Sequence, residues 1–237
     1  MEEFLRQNYY SINILVEILA TVTGLILYKR YKHTPTKYFI WFLVYIASCE
    51  FLGSYTRYSH KDGFLYFLEG TLFEYNYWWS TLYWKIGAIL FFTIYYYKIL
   101  ETDIFKKIIK AVGYSFLSFS SIFILLNLKD FFIRFFPIIS VLGALVVFIC
   151  VTLYLIEALK SDKLFFIYKS ISFYITLAIF IWWLIITPLI FYDIYSSTSD
   201  WNFVFLKWQV YLFANIFMYG TFTIGLIVSK PEKIDLK

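Results

Sequence analysis

Residues 136–156 read FPIISVLGALVVFICVTLYLI, 21 positions without a charged side chain. A helix rises about 1.5 Å per residue, so a run of this length covers about 30 Å, the depth of bilayer hydrocarbon. Working outward, the pattern recurs. Runs at 9–28, 38–55, 78–97, 111–128, 170–192 and 207–229 are apolar over similar lengths, with the charges bunched between them. The chain is 61% hydrophobic and 16% charged, against about 45–50% apolar in soluble domains. One soluble core cannot hide that surface in 237 residues, and a bilayer removes the need. Transmembrane β-strands are short and alternate polar with apolar residues, which these runs do not. The expectation is an all-α, polytopic membrane protein with seven transmembrane helices, forming a single transmembrane domain over 1–237.

Lysine and arginine orient the bundle. Lys29, Arg30, Lys32 and Lys37, then Lys98, Lys106, Lys107 and Lys110, then Lys160, Lys163 and Lys169, then Lys230, Lys233 and Lys237 make fourteen on one side. Arg6, Arg57, Lys61, Lys129, Arg134 and Lys207 make six on the other. The richer side belongs in the cytoplasm, so the N-terminus is outside and the C-terminus is cytoplasmic. The net charge of +5 is then a topology signal, and headgroups explain the clusters. No basic run forms a nucleic-acid-binding module. Met-Glu-Glu lacks the basic start of a signal peptide, so the first span stays as a helix. The chain is assigned to the cell membrane as a multi-pass protein. Cys49 and Cys150 both fall in spans and read as small packing residues. The abundance of Lys, Phe, Tyr and Ile is read as codon bias of an AT-rich genome.

The longest loop, 57–77, mixes Arg57, His60, Lys61, Asp62, Glu69 and Glu74 with Phe64, Leu65, Tyr66, Phe67 and Leu68. It reads as a short amphipathic segment on the outer surface. In the loop 98–110, Thr102 is placed to cap a helical extension. The stretch after Ser229 is short and carries Pro231. With no kinase or DNA-binding domain fused there, signalling is expected to run through a separate protein.

Ionisable residues inside a bilayer are costly and mark function by default. Glu17, Glu50 and Lys85 fall at one shared depth, roughly 8–12 Å below the outer surface at 1.5 Å per residue. Each belongs to a polar or small stripe at helical spacing: Asn13, Glu17, Thr21 and Gly24; Ala47, Glu50, Ser54 and Arg57; Trp78, Thr81, Lys85 and Ala88. Such stripes must face protein or water. The three charges are expected to converge, either as an ion pair that fixes helix register or as an outward-opening binding cavity. Two carboxylates against one ammonium leave a negative charge for a proton, a cation or a ligand.

The later spans add milder groups. Ser172, Thr176, Phe180, Trp183 and Thr187 share a face, and Pro188 favours a kink by removing the bond to the Leu184 carbonyl. Tyr211, Asn215 and Tyr219 share another face. Ser115, Ser118 and Ser121 are read as allowing close helix approach. Glu157 is read as pairing with a lysine at the headgroups. Trp78, Trp79, Trp201 and Trp208 fit an interfacial belt. Trp182 and Trp183 lie too deep for that, and Trp183, on the polar face, is expected with Asn215 to line the cavity. An aromatic wall beside carboxylates suits a small cationic or amphipathic ligand.

Several chemistries have no sequence support. His33 and His60 are both in loops, so no haem ligation, no His-based metal site and no Ser-His or Cys-His pair is visible. No catalytic residue, metal site or cofactor is assigned. The topology is that of the rhodopsins, but Lys207 sits at the mouth of the last span and Asn215 at its middle, so retinal has no lysine.

Residues 17–53, EILATVTGLILYKRYKHTPTKYFIWFLVYIASCEFLG, resemble the first two helices of small, mostly uncharacterised bacterial seven-helix proteins. The overall layout is loosely similar to the seven-helix sensory modules that precede some histidine kinases. The resemblance covers the first third in residues and the remainder in topology, and it departs at the missing kinase. It implies a receptor-like or regulatory module that senses a ligand at Glu17, Glu50, Lys85, Trp183 and Asn215. The alternatives are a small-solute or ion transporter, with proton coupling as one form, and a structural subunit of a membrane complex. Only one span has an interior proline and the helix count is odd, which weighs against the inverted repeats of transporters.

Overall fold

The computed structural model describes residues 2–59, 63–160, 167–195 and 201–231. His60, Lys61, Asp62, Lys163, Lys233 and Lys237 lie outside these ranges. The described residues contain helices and no strand. Seven long helical stretches carry the chain: α1 (Glu2–Ile26), α2 (Thr36–Gly53), α3 (Tyr77–Ser80, Thr81–Ala88 and Ile89–Ile99 in continuation), α4 (Asp103–Leu126), α5 (Pro137–Lys160), α6 (Ile171–Tyr195) and α7 (Trp201–Val228). Six of them, all but α3, are long and apolar enough to cross a membrane. The protein is a polytopic helical membrane protein.

The exception, α3, differs for a local reason. Its middle segment, Thr81–Ala88, is π-helical, with each turn one residue wider than in an α-helix. Such turns are rare and cluster at functional sites. The segment includes Lys85, Tyr83 and Trp84, which also lower its apolar character. The other helices run close to the expected spans, with shifted ends. The first begins before the apolar run and extends over its polar N-terminal turns, where the Arg6 guanidinium lies 6.0 Å from the Trp201 ring.

The packing order is nearly a ring. Helix α1 packs on α2 and α7, α7 on α6, α6 on α5, α5 on α3, and α3 back towards α2; α4 sits outside, against α3 and α5. Bulky aromatics fill the space between α2 and α3. The Phe42 and Phe91 rings stack with centroids 4.0 Å apart, and Phe39 meets Phe222 of α7 edge-on at 4.9 Å. Elsewhere small residues allow backbone approach. A Cβ on Gly113 of α4 would lie 2.5 Å from Thr93 Cγ2 of α3. The serines expected in that role, Ser115, Ser118 and Ser121, are exposed. The buried stripe of α4 is instead Ile109, Gly113, Phe116 and Ser120, because helical spacing puts the serines on the opposite face.

Two polar clasps hold the end of the bundle that carries Lys29. In the short helix Tyr28–Tyr31, Arg30 donates to the Ile227 carbonyl at 3.2 Å and to the Ser229 carbonyl. The Tyr31 hydroxyl donates to the Leu226 carbonyl at 2.9 Å or the Ser229 carbonyl at 3.0 Å. These contacts satisfy carbonyls that the end of α7 leaves without helical partners. Burial pushes the Tyr31 phenol above its ordinary pKa, with Arg30 acting the other way. Second, both Glu157 oxygens accept backbone N–H groups, from Glu101 and Thr102, each at 2.8 Å. Thr102 does hold the N-cap position of α4, yet its side chain makes no cap. The carboxylate from α5 supplies acceptors there in place of the lysine pairing read from the sequence.

At the opposite end, the described residues between α2 and α3 form two 3₁₀ segments, Ser54–Tyr58 and Tyr66–Leu68. Tyr55 ties the loop down through its hydroxyl, which donates to the Phe73 carbonyl at 2.8 Å or the Tyr75 carbonyl at 3.0 Å. Helix α6 continues through Pro188. Nearby, the Thr187 hydroxyl donates to the Trp183 carbonyl at 2.6 Å.

Candidate functional site

A cavity of about 190 Å³ lies among α1, α2, α3, α6 and α7. Helix α1 contributes Tyr9, Tyr10, Asn13 and Glu17, and α2 contributes Ile46 and Glu50. The spacing of Tyr9, Asn13 and Glu17 is four residues at each step, which stacks them on one helical face. Helix α3 adds Tyr83 and Trp84, α6 adds Trp182, and α7 adds Tyr211, Asn215 and Tyr219, again at four-residue spacing.

The polar groups form two systems. One is a chain of amides across three helices. The Trp182 indole N–H donates to Asn215 Oδ1 at 2.7 Å, Asn215 Nδ2 donates to Asn13 Oδ1 at 2.8 Å, and Asn13 Nδ2 donates to the Tyr9 carbonyl at 2.8 Å. Each donor has an acceptor, so the chain is fixed in direction. The other system is acidic. The Tyr83 hydroxyl donates to Glu50 Oε2 at 2.5 Å. Glu17 is only 7% exposed, and its Oε1 has no hydrogen-bond partner among the described residues. A buried acceptor without a donor is costly.

Aromatic rings complete the wall. Trp84 and Trp182 meet edge-on with centroids 5.4 Å apart, and Tyr211 lies 6.5 Å from Trp182. The Arg57 guanidinium lies 3.1 Å from the Tyr10 ring centroid. Among the described residues, no lysine, arginine or histidine belongs to the lining. The cavity therefore combines two carboxylates with the negative faces of several π-systems, a setting that attracts positive charge.

The structure sorts the residues singled out in the sequence. Glu17, Glu50 and Asn215 line the cavity together. Lys85 is not among the lining residues, and its Nζ lies 4.1 Å from the Phe135 ring centroid. The expected convergence of three charges thus reduces to the two acids. The reason is angular. Tyr83 faces Glu50, and a residue two positions along is turned by roughly half a turn, in an α-helix or in this wider one. Lys85 accordingly lies on the α5 side, where a Cβ on Gly143 would be 3.7 Å from its carbonyl oxygen. Trp183 is buried and meets Trp182 edge-on at 5.1 Å, but it is Trp182 that lines the cavity. The face of α6 with Ser172 and Thr176 is used elsewhere, in hydrogen bonds with Tyr95 at 3.0 Å and Tyr96 at 2.9 Å.

Tyr9, Tyr10, Tyr83, Trp84 and Trp182 escaped the sequence reading. The first was detectable, since it stands four residues before Asn13. The chain matches no protein-family model, no curated protein and no solved structure.

Proposed function

We propose that the protein is a receptor-like membrane module that binds a small organic cation in this cavity. A shift in its helices would pass the signal to a separate protein. The observation that carries the reading is the unpartnered Glu17 oxygen, buried in an aromatic-lined cavity that also holds Glu50. An ammonium group would give that oxygen a charged donor, and the rings would cover the remaining alkyl or aryl surface. In this reading α3 also spans, giving seven crossings. Its low apolar character follows from the side chains it brings to the bundle. The lysine and arginine bias of fourteen to six supports an N-terminus outside and a C-terminus on the cytoplasmic side of the cell membrane. The π-helical segment supports the signalling part. It presents Tyr83 and Trp84 to the cavity and continues to the other end of the bundle, so a change in its register would travel.

A second reading is transport of the same cation. It draws on the intramembrane carboxylates, which commonly mark ion pathways. One set of measurements separates the outcomes. Protein in nanodiscs is titrated with phenethylammonium at constant ionic strength while Trp84 and Trp182 report by fluorescence. Saturable quenching in the wild type, lost in Glu17→Gln/Glu50→Gln, supports the site. A linear response in both overturns it. Uptake of the same cation by proteoliposomes would replace the receptor reading with transport. Co-purification of a kinase or regulator from native membranes would favour the receptor.

A further inference from the structure

A second cavity, of about 280 Å³, lies between α2 and α3 towards the end of the bundle that carries Lys37, and it shares no lining residue with the first. Its construction follows from the packing of the two helices. The stacked Phe42 and Phe91 rings hold the helices apart and make the floor. Trp41 and Ile94 form the open rim and are 54% and 55% exposed, so the groove faces whatever surrounds the bundle. Tyr45 closes the deep end, where its hydroxyl donates to the Tyr83 carbonyl at 3.5 Å. It fits there because residue 87 is glycine: a Cβ would lie 2.7 Å from the Tyr45 oxygen. From Tyr38 to Tyr45 the groove runs about 10 Å along α2 at 1.5 Å per residue.

The mouth is different in character. Lys98 Nζ lies 4.7 Å from the Tyr38 ring centroid, and Lys37 Nζ lies 5.0 Å from the same centroid. Two ammonium groups are gathered about one phenol ring. Among the described residues neither has a carboxylate within ion-pair distance. Within those residues the pair has no adjacent counter-charge, and the ring's π-face offsets its repulsion only weakly.

We propose that this groove binds an anionic glycerophospholipid, with one acyl chain along Trp41 and Ile94 and the phosphate between Lys37 and Lys98. The two ends of the groove match the two ends of that molecule. An apolar slot open to the bilayer takes a hydrocarbon chain and gives little to a polar ligand. A pair of lysines at the chain terminus of the slot takes phosphate oxygens. Trp41 and Tyr38, with apolar bodies and polar tips, suit the level where chain meets headgroup. The site does not depend on the cation cavity.

The test is native mass spectrometry of the full chain, released from nanodiscs of equal parts phosphatidylglycerol and phosphatidylcholine. Wild type should retain phosphatidylglycerol over phosphatidylcholine by about tenfold or more, the effect of two basic groups on an anionic lipid. Lys37→Gln/Lys98→Gln should bring the ratio near one. Ile94→Trp, at an exposed position that can accept bulk without disturbing the core, should reduce retention of both lipids by filling the slot. Equal retention of the two lipids by the wild type would overturn the proposal. So would an undiminished preference in the double variant, or unchanged retention in Ile94→Trp. If the double variant fails to fold, Ile94→Trp and the wild-type ratio still decide the matter.

Discussion

The Tyr83 hydroxyl of α3 donates to the Glu50 carboxylate of α2, and the same two residues face the cavity where the Glu17 oxygen stands without a donor. One acid is therefore held by the protein while the other is left open. This asymmetry makes the two carboxylates separable by mutation.

Tyr83→Phe should destabilise the bundle by about 1–3 kcal/mol, the cost of stripping a donor from a part-buried charged acceptor. Melting in detergent measures it. In a Glu50→Gln background the loss from Tyr83→Phe should shrink, because the two residues act as one unit.

Glu17→Gln should behave in the opposite way. It replaces a buried carboxyl group, one oxygen of which has no partner among the described residues, by a neutral amide, so the melting temperature should stay level or rise. Affinity for phenethylammonium should fall at least about tenfold, the loss of one charge-assisted contact. A clear drop in melting temperature with affinity intact would assign Glu17 a purely structural role.

The contact between α3 and α4 gives a steric test. Gly113→Ala should cost about 1–3 kcal/mol, because its Cβ would collide with Thr93 Cγ2 at 2.5 Å. Thr93→Ser keeps the hydroxyl and removes that methyl. Introduced first, it should recover most of the loss in the same melting assay.

Glu157→Ala should loosen the start of α4 while leaving the cavity untouched. Its two oxygens hold the Glu101 and Thr102 amides, so these amides should exchange with solvent faster in the variant. Glu157→Gln keeps one acceptor and should fall between. A cost of about 1–2 kcal/mol is expected, comparable to the loss of a helix cap.

Much of this architecture was legible because the bilayer imposes a simple length rule. The run at 136–156 falls on α5 from its second residue onward, and the polar faces of α1 and α7 appear directly as Asn13 with Glu17 and as Tyr211, Asn215 and Tyr219. Regular helices make spacing readable. Lys85 was less readable for the same reason. Its depth agrees with that of the acids, but depth says nothing about direction, and its helix is π-helical there. The sequence favours Trp183 over its neighbour Trp182 because it shares a face with Ser172 and Thr176, but that face bonds Tyr95 and Tyr96 instead. The cavity tyrosines were hidden in plain abundance: a chain with 23 tyrosines gives no hint which of them meet. The exposed serines of α4 show the limit of small residues as a packing signal, since the tight contact belongs to Gly113.

Because Asn13 is bonded to Asn215, 202 positions later, α1 must wait for α7. During synthesis Asn13 and Glu17 enter the bilayer with their eventual neighbours still unmade. The emerging α1 therefore carries an amide, Asn13, that meets its side-chain partner when α7 arrives. A ribosome stalled before α7 leaves a chain whose first span is poorly suited to lipid. Arrival of α7, with the Arg30 and Tyr31 clasp at its far end, completes the ring and ends that exposure. Membrane quality control thus has a natural timer in this protein: the interval between inserting its first polar face and covering it.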